Sequence, residues 1–208
     1  MSYNFSEAID NLKKGKKRNF NQSVELIINL KDFDARKDSL NTFLQLPFPP
    51  SEKKICAFLD KPNNEFDSAI LKADFEKWQD KKEMKKLAKD YDFFVAVPSV
   101  MQLVATKFGR ILGPMGKMPS PQLGLLVSQD EKSIQELISK LRKTTRVKAK
   151  EPSVKILIGK EDTDTLKISQ NAEAIYNLVV NTLPKKKENI KSLMIKLTMS
   201  KPIKLVLK

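Results

Sequence analysis

The sequence predicts an α+β protein of two domains, in which both ends of the chain form one domain and the middle is inserted into it. Alternating apolar and polar residues, typical of strands with one exposed face, occur near both ends. Between them, short apolar runs separated by helical stretches are typical of a parallel sheet covered by helices. Prolines within residues 47–50 mark a boundary between the two patterns. We therefore expect a discontinuous domain at residues 1–52 and 145–208 and an inserted domain at residues 53–144.

The N-terminal segment is predicted to form one helix and two strands. Ser6–Lys14 carries an apolar stripe at helical spacing, with Ser6 as the N-cap and Gly15 able to end the helix. In Ser23–Lys31 every second residue is apolar, which indicates a strand with one exposed face. Asn41–Leu46 is predicted to be a second strand, which the prolines after it terminate.

The middle and C-terminal segments contain further strands and helices. Gly109–Gly124 is rich in glycine and proline and is predicted to be a loop. The predicted strands are Lys54–Leu59, Phe93–Val97, Val154–Ile158, Leu193–Met199 and Ile203–Leu207. The predicted helices are Lys81–Lys89, Ser99–Lys107, Ser133–Arg142 and Ser169–Leu183, the last one closed by Pro184.

The charge of the chain favours a polyanionic partner. The 208 residues include 39 basic and 25 acidic side chains, a formal charge of +14, and 40% are hydrophobic, which suffices for a core. Such an excess suits nucleic acid first and an anionic membrane surface second. The terminal segments contain 22 basic and 13 acidic residues and so hold +9 of the +14. On charge, the terminal domain is the better candidate for the RNA surface.

Neither a membrane span nor an export signal is expected. The longest uncharged stretch, Phe93–Thr106, is too short to cross a bilayer and contains Pro98. The N-terminus reaches Glu7, Asp10 and several lysines before any long apolar run, unlike a signal peptide. We expect an intracellular protein with no membrane partner.

The composition also argues against catalysis. The chain has no histidine, the commonest general base near neutral pH and the commonest zinc ligand. Its single cysteine, Cys56, lies in an apolar run and is expected to be buried. The glycine-rich stretch Gly113–Lys117 departs from a phosphate-binding loop, because Ile111 replaces a glycine and Met118 replaces the serine or threonine. We expect no catalytic residue, metal or cofactor, and keep a nucleotide-binding α/β enzyme as the alternative from another class.

Three stretches resemble one known family. Residues 109–119 (GRILGPMGKMP) resemble the signature of the L-one family, the large-subunit ribosomal protein of the mobile stalk beside the tRNA exit site. Residues 18–25 (RNFNQSVE) resemble the entry to the family's first strand, and residues 196–202 (KLTMSKP) resemble the end of its C-terminal strand. The resemblance covers nearly the whole chain and is archaeal or eukaryotic in character.

The resemblance implies a fold and a function. It implies a split terminal domain of α/β-sandwich type, an inserted Rossmann-like three-layer α/β domain, and a hinge near the proline cluster and Arg146. It further implies a cytoplasmic ribosomal protein, monomeric off the ribosome, whose terminal domain binds stalk rRNA. The inserted domain would assist release of deacylated tRNA from the exit site, and binding to its own mRNA would make the protein a translational repressor. A ribosome-assembly factor of the same family is the closer alternative.

The resemblance also transfers a set of RNA-contacting residues. Ser23 and Thr198 carry hydroxyls that can bond to ribose and phosphate groups, and Glu25 can accept from 2′-hydroxyls or fix a neighbouring lysine. Phe20 and Met199 either offer apolar surface to RNA or pack in the core at the ends of strands. The full predicted set is Arg18, Phe20, Ser23, Glu25, Thr198, Met199, Ser200 and Lys201.

The glycine-proline segment is a second candidate, as a tRNA contact or as a purely structural loop. The sequence departs from the family's pattern at two positions. In this segment Met115 stands where the family commonly has an arginine, so a positive charge is lost. In the predicted RNA-contacting set, Ser200 stands where the family usually has a glycine, which would loosen a close approach to RNA unless the hydroxyl makes its own contact. The segment's candidate residues are Gly109, Arg110, Gly113, Pro114, Gly116 and Lys117.

Overall fold

The computed structural model divides the chain into two units. One unit is Met1–Ser51 together with Lys143–Lys208, and the other is Glu52–Arg142. Helices and several sheets are both present, which is compatible with the predicted α+β class. Among the described helices, none combines the length and the apolar character that crossing a membrane requires. The residues that the structure describes are 4–16, 18–34, 40–78, 80–120, 131–149 and 151–205.

The described elements follow the chain in a mixed order. The helices are α1 (Phe5–Lys13), α2 (Lys81–Asp90), α3 (Pro98–Met115), α4 (Glu131–Lys143) and α5 (Thr165–Thr182), with short 3-10 helices at Lys72–Glu76 and Lys186–Asn189. The strands are β1 (Ser23–Leu30), β2 (Asn41–Gln45), β3 (Ile55–Leu59), β4 (Ser68–Leu71), β5 (Phe93–Ala96), β6 (Thr144–Lys148), β7 (Ser153–Lys160), β8 (Ile190–Leu197) and β9 (Ile203–Leu205).

A four-stranded antiparallel sheet, in the order β7-β1-β8-β9, is the centre of the first unit. In β1 every second side chain is buried, because one face of the sheet packs against α1 and α5. Val24, Leu26 and Ile28 are fully buried on that face. The predicted strand Ser23–Lys31 and its apolar face are confirmed.

A two-stranded ladder in the same unit joins β2 to β6. Strand β2 was predicted from the sequence, whereas β6 was not. Beyond β2 the backbone of Phe48 is held by the buried Asn171 of α5, whose Oδ1 accepts from the Phe48 N–H at 3.1 Å and whose Nδ2 donates to the Phe48 carbonyl. The same amide donates to the Ile158 carbonyl at 2.8 Å, so one side chain connects α5, β7 and the proline-rich segment.

The second unit is built on a three-stranded parallel sheet in the order β4-β3-β5. All five residues of β3 are buried, including Cys56, as predicted. Burial raises the pKa of the Cys56 thiol to about 12. The core centres on Phe58, whose ring lies 5.0 Å from that of Phe108 in α3 and 5.9 Å from that of Phe94 in β5. The short strand β4 was not predicted.

Several predicted boundaries were wrong, and in α1 the capping residue was also misassigned. Helix α1 begins one residue earlier than predicted, and its N-cap is Asn4 rather than Ser6, with Oδ1 accepting from the Glu7 N–H at 3.3 Å. Helix α5 begins at Thr165, where Asp164 caps it by accepting from the Leu166 N–H at 3.3 Å. Strand β8 ends before a turn that starts at residue 198.

The predicted loop at residues 109–124 is wrong over its first part. Residues 109–115 continue α3, so the helix is 18 residues long rather than the predicted nine. Pro114 is tolerated because it lies in the last turn of the helix, and Gly113 before it has no Cβ to clash with the proline ring. Residues 121–124 of the predicted loop lie outside the described part of the chain.

Candidate nucleic-acid interface

Antiparallel pairing of β1 and β8, the two inner strands of the four-stranded sheet, brings the two halves of the predicted RNA-binding set together at one end of the sheet. Val24 pairs with Leu197, and Glu25 pairs with Lys196 directly across the strands. Just beyond this pairing, the Thr198 N–H donates to the Ser23 carbonyl at 3.1 Å. Residues separated by about 175 positions in the chain therefore lie together at one end of the sheet. We call this region the strand-end surface: residues 18–25 and 196–201.

The two hydroxyls expected to contact RNA differ in their surroundings. The Thr198 Oγ1 accepts from the Ser23 N–H at 3.0 Å and lies 3.4 Å from the Ser23 carbonyl oxygen. This side chain therefore ties the two strands together and has only part of its hydrogen-bonding capacity left for a ligand. Ser23 itself is half-buried at the start of β1.

Ser200 closes the turn after β8. Ser200 Oγ accepts from the Leu197 N–H at 2.8 Å, and the Ser200 N–H donates to the Leu197 carbonyl at 3.1 Å. Among the described non-glycine residues, positive φ occurs only at Asp32 and Lys186, so position 200 does not need a glycine for its backbone conformation. The Ser200 hydroxyl therefore forms its hydrogen bond within the protein, to the residue at the end of β8.

Phe20 and Met199 are exposed rather than packed in the core. Phe20 retains 50% and Met199 retains 60% of its accessible surface. Phe20 lies on an open depression of about 440 Å³, which Arg18 and Asp162 also line. An exposed ring beside a basic residue at the rim of a depression can stack on a base or a ribose. The core alternative for these two residues is therefore excluded.

Charges of both signs lie along the strand-end surface. Arg18 and Lys201 are exposed, as is Lys160, the partner of Ser23 in β7. Glu25 is half-buried and lies opposite Lys196 across the two strands. The resulting edge is a mixed hydrogen-bonding surface rather than a uniformly basic one.

Gln22 is the residue that the sequence analysis missed. Its side chain is only 2% exposed; Oε1 accepts from the Met199 N–H at 3.1 Å, and Nε2 donates to Glu161 at 3.1 Å. Its carbonyl also accepts from the Glu161 N–H at 2.8 Å. One buried amide thus connects the entry to β1, the end of β7 and the turn after β8. The period of two in β1 places position 22 on the buried face with Val24, which was an available signal.

The glycine-proline segment has a structural role that is visible in the second unit. Gly116 ends α3 in the left-handed conformation, with φ of 68°. Lys117 Nζ then donates to the carbonyls of Ala88 at 2.8 Å and Tyr91 at 2.7 Å, at the C-terminal end of α2. Desolvation lowers the pKa of Lys117. Because this ammonium group is bonded to two carbonyls, it is poorly placed to bind a nucleotide phosphate.

The other residues of this segment lie on the surface of α3. Arg110 and Gly113 are exposed, Gly109 is half-buried, and Met115 is 40% exposed. Among the described residues, no group of three or more aspartate, glutamate or cysteine side chains is arranged to hold a metal ion.

Comparisons with known proteins match nearly the whole chain. A family model described as the Ribosomal protein L1p/L10e family matches residues 12–201. The "Large ribosomal subunit protein uL1" of Nanoarchaeum equitans is 37% identical over 212 residues, which cover 96% of this chain and 99% of that protein. The proteins of that name from Pyrobaculum aerophilum and Thermococcus kodakarensis are 37% and 35% identical, covering 93% and 95% of this chain and 88% and 94% of their own lengths. The resemblance inferred from the sequence motifs is therefore confirmed, and the chain belongs to the Ribosomal protein L1p/L10e family.

Proposed function

We propose that this chain is a structural constituent of the large ribosomal subunit in the cytoplasm and binds stalk rRNA through the strand-end surface. Relatives that match over most of their length are large-subunit proteins by name, which supports the ribosomal assignment. The observation that carries the RNA-binding assignment is the exposure of Phe20 and Met199 on the surface where Ser23 and Thr198 are bonded to each other. A surface that is already ordered in the free protein avoids the entropic cost of ordering on binding.

The finer parts of the proposal concern the two domains. The discontinuous domain, residues 1–52 and 145–208, binds rRNA as a split α/β sandwich. The inserted Rossmann-like domain, residues 53–144, moves about a hinge and assists release of deacylated tRNA from the exit site. The protein is a monomer off the ribosome, and it represses translation where its own mRNA presents a fold like that of the rRNA. The excess of basic residues in the terminal segments supports the first of these assignments.

Alanine substitution of Phe20 tests the site. We expect Phe20→Ala to weaken binding of a transcript of the stalk rRNA by about 1 to 3 kcal/mol, because stacking of one base on an aromatic side chain contributes that much. Filter binding at fixed salt is the measurement. Leu103→Ala is the matched control, since Leu103 is a 39% exposed apolar residue on α3, in the other unit. Equal affinities of the two variants would contradict the proposed site.

Two further experiments separate the alternatives. The native protein should sediment with mature large subunits, whereas an assembly factor of the same family would sediment with precursor particles. Calorimetric titration with ATP, GTP and NAD tests the nucleotide-binding alternative, for which we expect no heat of binding. Lys117, the lysine that such a site would use, donates to Ala88 and Tyr91.

A further inference from the structure

We propose that the exposed face of α2 binds the phosphate backbone of double-stranded RNA. Five of the ten residues of α2 are lysines, and all five are exposed. We call this group the α2 lysine stripe: Lys81, Lys82, Lys85, Lys86 and Lys89. The inference extends the proposed function, because it adds an RNA contact in the unit that lacks the strand-end surface.

The lysines are concentrated on one side of the helix. At about 100° per residue, the five side chains fall within an arc of roughly 140°, and the two acidic residues of the helix, Glu83 and Asp90, project outside that arc. The opposite side holds Met84, Leu87 and Ala88, which are buried in the core of the unit. The stripe extends for roughly 12 Å along the helix axis, from Lys81 to Lys89.

This arrangement opposes the stability of the helix. Three pairs of lysines lie four residues apart, and like charges at that spacing repel each other. Lys81 and Lys82 also lie in the first turn, where the helix dipole disfavours positive charge. None of the five lysines forms a salt bridge with a residue that the structure describes. A phosphate backbone would neutralise these charges.

The chemistry of the stripe favours RNA over other anionic partners. Membrane-surface helices insert an apolar face, but the apolar face of α2 is buried in the unit. Protein interfaces use exposed aromatic, arginine or large apolar residues as anchors, and the stripe has none of these. Evenly distributed lysines suit the regularly spaced phosphates of a duplex, which they contact without reading its sequence.

A charge-neutralising variant tests the stripe in the full-length chain. We compare K81Q/K85Q/K89Q with K61Q/K72Q/K132Q, which removes the same charge from dispersed, exposed lysines of the same unit. The probe is an RNA duplex of about two helical turns and of sequence unrelated to rRNA. If each of the three lysines neutralises one phosphate, affinity in 0.1 M salt falls about 100-fold or more in the stripe variant. The log-log salt dependence also becomes shallower by about 2 to 3.

Controls make each outcome decisive. Circular dichroism should show both variants folded, and K81R/K85R/K89R, which keeps the charge, should retain duplex binding. Equal, small losses in the stripe variant and the dispersed variant would overturn the proposal. So would stripe-dependent binding to vesicles rich in phosphatidylserine, or to polyglutamate, with no effect on the duplex. Binding of the stalk transcript that still depends on Phe20 would then leave the proposed function standing, whereas absence of stalk binding in the native protein would refute that function alone.

Discussion

At the scale of single residues, the strand-end surface depends on a buried amide. Gln22 holds the Met199 backbone and the Glu161 side chain with its own side chain, and so fixes segments from three parts of the chain. Because Gln22 is buried, we expect it to position Met199 rather than to touch RNA itself. Residues of this kind are costly to change, because their partners lose bonds inside the protein.

Gln22→Ala should therefore affect both folding and binding. We expect the free energy of unfolding to fall by about 1 to 3 kcal/mol, because buried hydrogen-bonding partners lose their bonds. Urea denaturation measures this change, and filter binding of the stalk transcript measures the loss of affinity. Gln102→Ala, on the exposed surface of α3, is the control and should stay within about 0.5 kcal/mol. An unchanged stability in Gln22→Ala would show that the amide is not a structural link.

The sequence indicated which residues lie at the strand-end surface, but not which groups their side chains bond to. Thr198 and Ser200 were both selected for contact with RNA, yet both hydroxyls are bonded to the backbone of neighbouring residues. Side-chain bonds that close a turn depend on the local path of the chain, which alternation of apolar residues does not specify. Gln22, in contrast, could have been predicted, because the period of two that buries Val24 extends to position 22, one residue before the strand begins.

At the scale of elements, Gly159 in β7 is tightly packed, whereas Gly109 in α3 has open space around it. A Cβ built on Gly159 would lie 2.7 Å from the Ile168 side chain of α5, so this glycine permits close packing of helix on sheet. A Cβ on Gly109 would meet nothing within 4 Å. Gly109 therefore weakens α3 by its backbone freedom without any packing reason.

Alanine substitution should move stability in opposite directions at these two glycines. We expect Gly159→Ala to lower the free energy of unfolding by about 1 to 3 kcal/mol through overpacking against Ile168. Gly109→Ala should raise it by about 0.5 to 1 kcal/mol, because alanine loses less conformational entropy in a helix. Thermal unfolding of the two variants gives both values. The same sign in both variants would contradict this account of their surroundings.

The end of α3 was wrongly predicted to be a loop. Two glycines and a proline normally indicate a loop, but Pro114 lies in the final turn of α3, where little of the helix remains to be disrupted. Strand β1, in contrast, was predicted nearly to the residue, because it has one face on a core and one outside it. Strand β8 was predicted at Leu193–Met199 but begins three residues earlier and ends two residues earlier. Strand β6 (TTRVK) was missed because Val147 is its only apolar residue, and β4 (SAIL) was missed because its apolar run is only three residues long.

At the scale of the whole molecule, each unit has its own core. The residues around Phe58 form one apolar cluster, and those around Leu26 and Ile175 form the other. The single thiol of the chain, Cys56, lies in the former and is fully buried. It is therefore a specific probe of the second unit.

The reactivity of Cys56 should report unfolding of that unit. Burial keeps its pKa near 12, so at neutral pH the thiol is both protonated and inaccessible, whereas in an unfolded chain its pKa returns to about 8.5. We expect labelling by a disulfide reagent to be slow in buffer and to accelerate with urea as the sheet of the unit is lost. Fast labelling of the native protein would contradict the burial of β3.

The pairing of β2 with β6 has a consequence for the topology of the chain. Gln45 lies opposite Thr144, and the Leu46 N–H donates to the Lys143 carbonyl at 2.8 Å, so the second unit occupies the loop of what is otherwise a β-hairpin. The entropic cost of closing a loop rises only with the logarithm of its length. A hairpin can therefore accept a whole folded unit as its loop, and a short turn replacing Glu52–Arg142 should leave the terminal unit able to fold on its own.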